Sequence, residues 1–165
     1  MCTRVVAATD NGEQAEYHLT DKDFMQALSL PLPLSLPAAA QTRQFITPAN
    51  VYLQINQYHP KSPQDRLVPY VARQFDIQFW VQEQLRKVRV EQFRQKSGLK
   101  RVVQVQWFDV GGFSAATVPQ AKLLQIPAVL SGNHYFSIFT LQAECVQNDC
   151  KSAQKSLLEL SETIQ

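Results

Sequence analysis

The stretch 80-WVQEQLRKVRVEQFRQKSG-98 decides how the rest of the chain is read. Val81, Leu85 and Val88 stand at i, i+4 and i+7 and Phe93 ends the apolar stripe, so the spacing predicts an amphipathic helix over 80–96. Gly98 would close it as a left-handed cap. The opposite face would carry Arg86, Lys87, Arg94 and Lys96, with Lys100 and Arg101 just beyond. Such a run reads as a solvated helix face, or else as a surface for an acidic partner or for lipid phosphates.

Working outward, both neighbours read as strands. In 50-NVYLQINQYH-59, Val51, Leu53 and Ile55 fall on one face and Tyr52, Gln54 and Asn56 on the other. In 102-VVQVQWF-108, Val103, Val105 and Trp107 point inward and Gln104 and Gln106 outward. A strand, a helix and a strand make a crossover unit, expected to wind right-handed. Before the helix, 66-RLVPYVARQFDIQFW-80 is rich in β-branched and aromatic residues but interrupted by Pro69, and reads as an edge hairpin or an extended flap.

After a turn over Asp109–Gly112, 113-FSAATVPQAKLLQI-126 reads as a strand kinked at Pro119. Ser131, Gly132 and Asn133 then turn the chain into the most apolar strand, 134-HYFSIFTLQAEC-145. Asp149 is placed to cap a last helix, in which Ala153, Leu157, Leu160 and Ile164 recur at i, i+4, i+7 and i+11. The expected architecture is α+β: a two-layer sandwich with a mixed sheet of four to five strands and two helices packed on one face.

The N-terminal part is organised differently. Residues 3–15 show neither a helical nor an alternating period, so 1–15 read as a flexible tether and 16–165 as a single domain. Tyr17 and Leu19 alternate with polar neighbours as a short edge strand would. In 27-ALSLPLPLSLPAAA-40, Pro31, Pro33 and Pro37 forbid a continuous helix and keep the backbone extended. That segment lacks the basic residues and the position of a signal peptide, and no run of 18 or more apolar residues exists to span a membrane.

Composition narrows the function. The 165 residues are one ordinary domain, and a net charge of +2 does not point to nucleic acid. Glutamine is frequent, 21 residues scattered singly, which reads as polar surface without charge and forms no prion-like tract. His18, His59 and His134 stand apart from other metal-ligand types. Neither a nucleophile elbow nor a phosphate loop occurs, and the only double glycine, Gly111-Gly112, sits in a turn. No cofactor or metal site is expected.

The cysteines carry what chemistry remains. Cys145 and Cys150, with four residues between them, are near enough for a turn to bridge them, or they are unrelated thiols. If they are bridged, the compartment is oxidising and Cys2 is left over, as suits a modified N-terminal cysteine outside the fold. Cys2 itself reads as a nucleophile exposed when Met1 is removed, as a residue with no role, or, the reading favoured, as a lipid-anchor site, with Met1 then a start added to an already processed chain.

The four letters MCTR resemble the start of the choloylglycine and penicillin acylases, in which the terminal cysteine is nucleophile and its own amine the base. A resemblance spanning most of residues 16–164 is to the ABC-type transport auxiliary lipoproteins, which include the lipoprotein component of the paraquat-inducible intermembrane transport system. It rests on Cys2, the Tyr17-x-Leu19 element, a strand, the segment Arg66 to Tyr70, and Trp80 opening the first helix. The family's tryptophan is commonly followed closely by proline, whereas Val81, Gln82 and Glu83 follow here. What the resemblance implies is a non-enzymatic outer-membrane lipoprotein facing the periplasm of a Gram-negative bacterium, acylated at Cys2 and partnered with an MCE-domain membrane protein in lipid transport. No nucleic acid is expected, and a homo-oligomer is compatible with the sequence. The partner surface expected is the flap carrying Tyr70, Phe75, Phe79 and Trp80, unless those aromatics pack under the first helix. A soluble PsbP-like or Mog1-like binding module shares the order of strands and helix.

Overall fold

The computed structural model describes residues 5–10, 14–19, 25–26, 29–60, 67–69, 75–76, 78–85, 90–147 and 149–164. Strands β1 (Val5–Asp10) and β2 (Gln14–Leu19) pair antiparallel as a two-stranded sheet of their own. The segment expected to lack regular structure therefore supplies a strand, and Tyr17 and Leu19 belong to its partner.

The main sheet collects β3 (Met25–Gln26), β4 (Gln41–Ile46), β5 (Val51–Tyr58), β6 (Trp80–Leu85), β7 (Val90–Gln95), β8 (Arg101–Val110), β9 (Phe113–Ala115) and β10 (Phe136–Glu144). Seven of these lie in the order β3-β4-β5-β10-β8-β7-β6, and β9 pairs with the far end of β8. Every pairing is antiparallel. The sheet is thus larger than four to five strands and is not mixed, and the expected crossover is absent.

Two segments change type. In place of the helix expected over 80–96, Trp80–Leu85 and Val90–Gln95 pair antiparallel as β6 and β7, with a register shift between Gln82 and Gln84. The reason lies in where the apolar residues go. Val90 packs on one face of the sheet, while Trp80 and Phe93 pack on the other beside Val102 and Leu32. A strand that must supply apolar groups to both faces loses its period of two, and its leftover spacing imitates a helix. Gly98, expected as a left-handed cap, is not among the positive-φ glycines.

Residues 113–126, expected as a kinked strand, split into β9 and the helix α1 (Val118–Leu130). Thr117 accepts the Gln120 N–H at 3.4 Å, the Gln120 side chain accepts the Ala116 N–H at 3.0 Å, and Pro119 stands in the first turn. These are helix-start features: a reciprocal cap and a proline whose missing donor costs nothing there.

The last helix, α2 (Lys151–Ile164), begins where Asp149 accepts the Lys151 N–H at 3.0 Å. The two helices lie on opposite faces, not on one. Leu157 and Ile164 of α2 pack on Val51, Leu53, Ile55, Val103, Val105, Trp107, Phe139 and Leu141. Ala121 and Ala128 of α1 pack on the reverse face against Phe108, Val110, Phe136 and Ile138. Alternation along β5, β8 and β10 divides odd from even residues between these two layers. Close approach of α1 depends on Gly111, at φ +57°, where an added Cβ would stand 2.7 Å from that of Ala128.

Candidate functional site

Between the apolar cluster under α1 and the cluster around Trp80, the reverse face of the sheet is polar yet buried. Gln54, Asn56, Gln104, Thr140 and Gln142 are all under 7% exposed. Register explains their meeting. Gln44, Gln54, Thr140 and Gln106 are level across four strands, and Glu91, Gln104 and Gln142 across three. Amides level with one another on a pleated face can pair donor to acceptor, the arrangement a buried polar group requires.

The pairing is extensive. Gln44 donates to Gln54 and Gln54 to Asn56, both at 2.6 Å, and Asn56 donates to Thr42 at 3.0 Å. Gln106 donates to Thr140 at 3.1 Å, and Gln142 to Gln104 at 2.9 Å. Gln104, expected to point outward to solvent, is therefore buried within this belt.

A strap covers the belt. The described part of the Leu/Pro segment, 29–40, contains no helix, bends at Pro31 and Leu32, and runs across the face between the two apolar clusters. Leu32 is fully buried with Trp80, Phe93 and Val102, while Leu36 and Ala39 pack toward α1. Gln142 accepts the Leu32 N–H at 2.9 Å and donates to the Leu32 carbonyl at 3.0 Å, holding the strap as a neighbouring strand would. Tyr58 donates its hydroxyl to the Pro37 carbonyl at 3.0 Å, and burial pushes that phenol's pKa up to about 12. The belt's one carboxyl is Glu91. Burial raises its pKa from 4.5, and hydrogen bonds from Gln82 at 3.3 Å and Gln104 at 3.4 Å partly offset that rise. Amides, hydroxyls and one carboxyl here hold one another and the strap's backbone.

The residues singled out from sequence are scattered. Cys145 and Cys150 are bridged, which resolves the pairing left open above. Cys2 and Tyr70 lie outside the described residues, as do Arg86 and Lys87 of the expected basic face. Trp80 is buried, Phe75 is half-buried and edge-on to Phe93 with ring centroids 4.9 Å apart, and Phe79 is 56% exposed. Trp80 and Phe75 pack with Phe93 of β7, not under a helix. Lys100 pairs with Glu144 at 2.7 Å. Among the described residues no group of His, Cys, Asp and Glu could hold a metal ion, and no helix is long and apolar enough to cross a membrane.

Beside the disulfide lies a cleft of ≈ 420 Å³, lined by Asn50, Tyr52, Glu144, Asp149, Ser152 and Ser156 among others. It opens at the start of α2, where Asp149 already takes the Lys151 amide. A feature that sequence reasoning missed is the outer side of α1. Leu123, Ile126 and Leu130 are 70%, 61% and 83% exposed, with Val129 beside them. The signal that would have found it is Thr117-Val118-Pro119, a helix start, followed by leucine and isoleucine at i, i+3 and i+7.

Compared with known proteins, the chain matches no family model, no curated protein and no solved structure.

Proposed function

We propose that this protein is a non-enzymatic, lipid-anchored component of the outer membrane's periplasmic face, acylated at Cys2, which partners an MCE-domain protein in carrying lipid between membranes. The observation that carries the reading is the division of the three cysteines. Cys145 and Cys150 are joined across the start of α2, and such bonds persist in oxidising compartments. Cys2 is then the remaining thiol, separate in sequence from the main sheet, and the candidate for acylation.

The resemblance set out above supplies the family and hence the partner. The physical account agrees with it in one respect: several acyl chains on one cysteine give stable attachment where a single chain gives only marginal binding.

Mass analysis of protein extracted from native membranes is expected to find a diacylglyceryl group on Cys2. An unmodified cytosolic protein would defeat the reading. Crosslinking in the intact envelope is expected to recover an MCE-domain protein, and amide hydrolysis lost on Cys2→Ala would replace the proposal with an acylase.

A further inference from the structure

The outer side of α1 departs from what a surface helix normally shows. Its inner side buries small residues, Ala121 and Ala128, while Leu123, Ile126, Val129 and Leu130 face outward. Leu123, Ile126 and Leu130 stand at i, i+3 and i+7, the a-d-a spacing of a helix–helix seam. Scattered exposed apolar residues are ordinary; a contiguous stripe on one helix marks an interaction site.

We infer that this stripe is a self-association surface, on which α1 of one copy packs antiparallel against α1 of a second copy about a two-fold axis near Ile126. Charge selects this partner and this orientation. Lys122 is the only ionisable residue of α1, and the helix has no basic residue in its last turn and no acidic residue in its first. Antiparallel pairing that sets Leu123 opposite the partner's Leu130 brings Lys122 level with the partner's Ser131, at the negative end of the helix dipole, where α1 has no cation of its own. Parallel pairing would instead set the two lysines side by side. A helix lying in a bilayer surface carries several cations and aromatic residues at its flanks, and α1 has one lysine and no aromatic.

Area agrees. The four aliphatic residues expose roughly 400 Å² per copy, and with a polar rim two copies reach the roughly 1,000 Å² that a specific but modest interface needs. The inference goes beyond the lipoprotein reading and holds whether or not Cys2 is acylated.

Sedimentation equilibrium of the full chain from low to high micromolar concentration tests it. The chain is expected to form dimers, and Ile126→Asp, at an exposed position, is expected to weaken dimerisation at least about tenfold, with the melting temperature unchanged when measured at concentrations where both chains are monomeric. In a Cys2→Ser background, Ile126→Cys is expected to crosslink to its own counterpart under mild oxidation, whereas Leu99→Cys, more exposed but elsewhere, is not. A chain monomeric throughout, or dimers that survive Ile126→Asp, would overturn the inference. So would a monomeric chain that sediments with anionic phospholipid vesicles and loses them on Ile126→Asp, which would assign the stripe to a bilayer.

Discussion

The two faces of the main sheet solve burial by different chemistry. Under α2, Leu53, Val105, Leu141 and Leu157 are apolar, and Trp107 stacks on Phe139 with centroids 5.1 Å apart. On the reverse, the middle of the same strands buries Gln54, Gln104 and Gln142 beneath the strap. Apolar packing is non-directional and tolerates small rearrangements. An amide network is directional, and removing one member leaves its partners buried and unpaired. The α2 face therefore supplies bulk stability, and the strap face specifies where one segment of the chain lies.

The largest expected effect tests the first half of this contrast. Leu157→Ala opens a cavity at a fully buried position and should cost about 3 kcal/mol, a fall in Tm of roughly 10 °C. Chemical denaturation measures it, and hydrogen exchange at Leu32 should accelerate only in proportion to the global loss.

Gln142→Met should cost less, about 2 kcal/mol, because it keeps volume but strands the Leu32 N–H and carbonyl and the Gln104 amide oxygen. Its signature is local: exchange at Leu32 and proteolysis within 29–39 should rise beyond what the global change explains. Uniform acceleration across the sheet would dissolve the distinction between the faces.

A smaller effect is expected with pH. Burial raises the Glu91 pKa in the folded chain above its ordinary 4.5, so the folded state holds the proton more tightly than the unfolded one. Its contribution is fully present below the unfolded value and is lost as pH rises through the folded value. Thermal melts from mildly acid to neutral pH should show that decline, and Glu91→Gln should flatten it. An unchanged slope in the variant would remove Glu91 from the belt's electrostatics.

The smallest concerns the edge hairpin. Phe79→Ser, at a side chain 56% exposed, should alter stability by no more than about 0.5 kcal/mol, because Trp80 and not Phe79 fills the cluster with Phe93. A large loss on melting would show Phe79 to be a packing residue after all.

Much of the architecture is legible where burial is one-sided or flagged by local chemistry. Val51, Leu53 and Ile55, Val103, Val105 and Trp107, and the apolar run ending at Cys145 each mark a strand that the structure contains. Ala153, Leu157, Leu160 and Ile164 mark α2, and Asp149 marks its start. Pro31, Pro33 and Pro37 mark the strap as free of helix. The candidate site is less legible. Glutamine at 104 reads as solvent-facing because nothing in the local pattern shows that residues 29–39 return to cover it. The stripe on α1 is hidden because Leu123, Leu124 and Ile126, next to Pro119, imitate a kinked strand.

By itself, then, the sequence determined the α+β class, the central strands, the closing helix and the helix-free strap, since period, capping and proline geometry act within a few residues. Only the tertiary structure decided that β6 and β7 pair, that the helices take opposite faces, that Cys145 and Cys150 join, and that the glutamines lie inside. Periodicity reports which side of an element is dry when the other side is wet. A sheet covered on both faces has no wet side, so its pattern is set by partners distant in the chain.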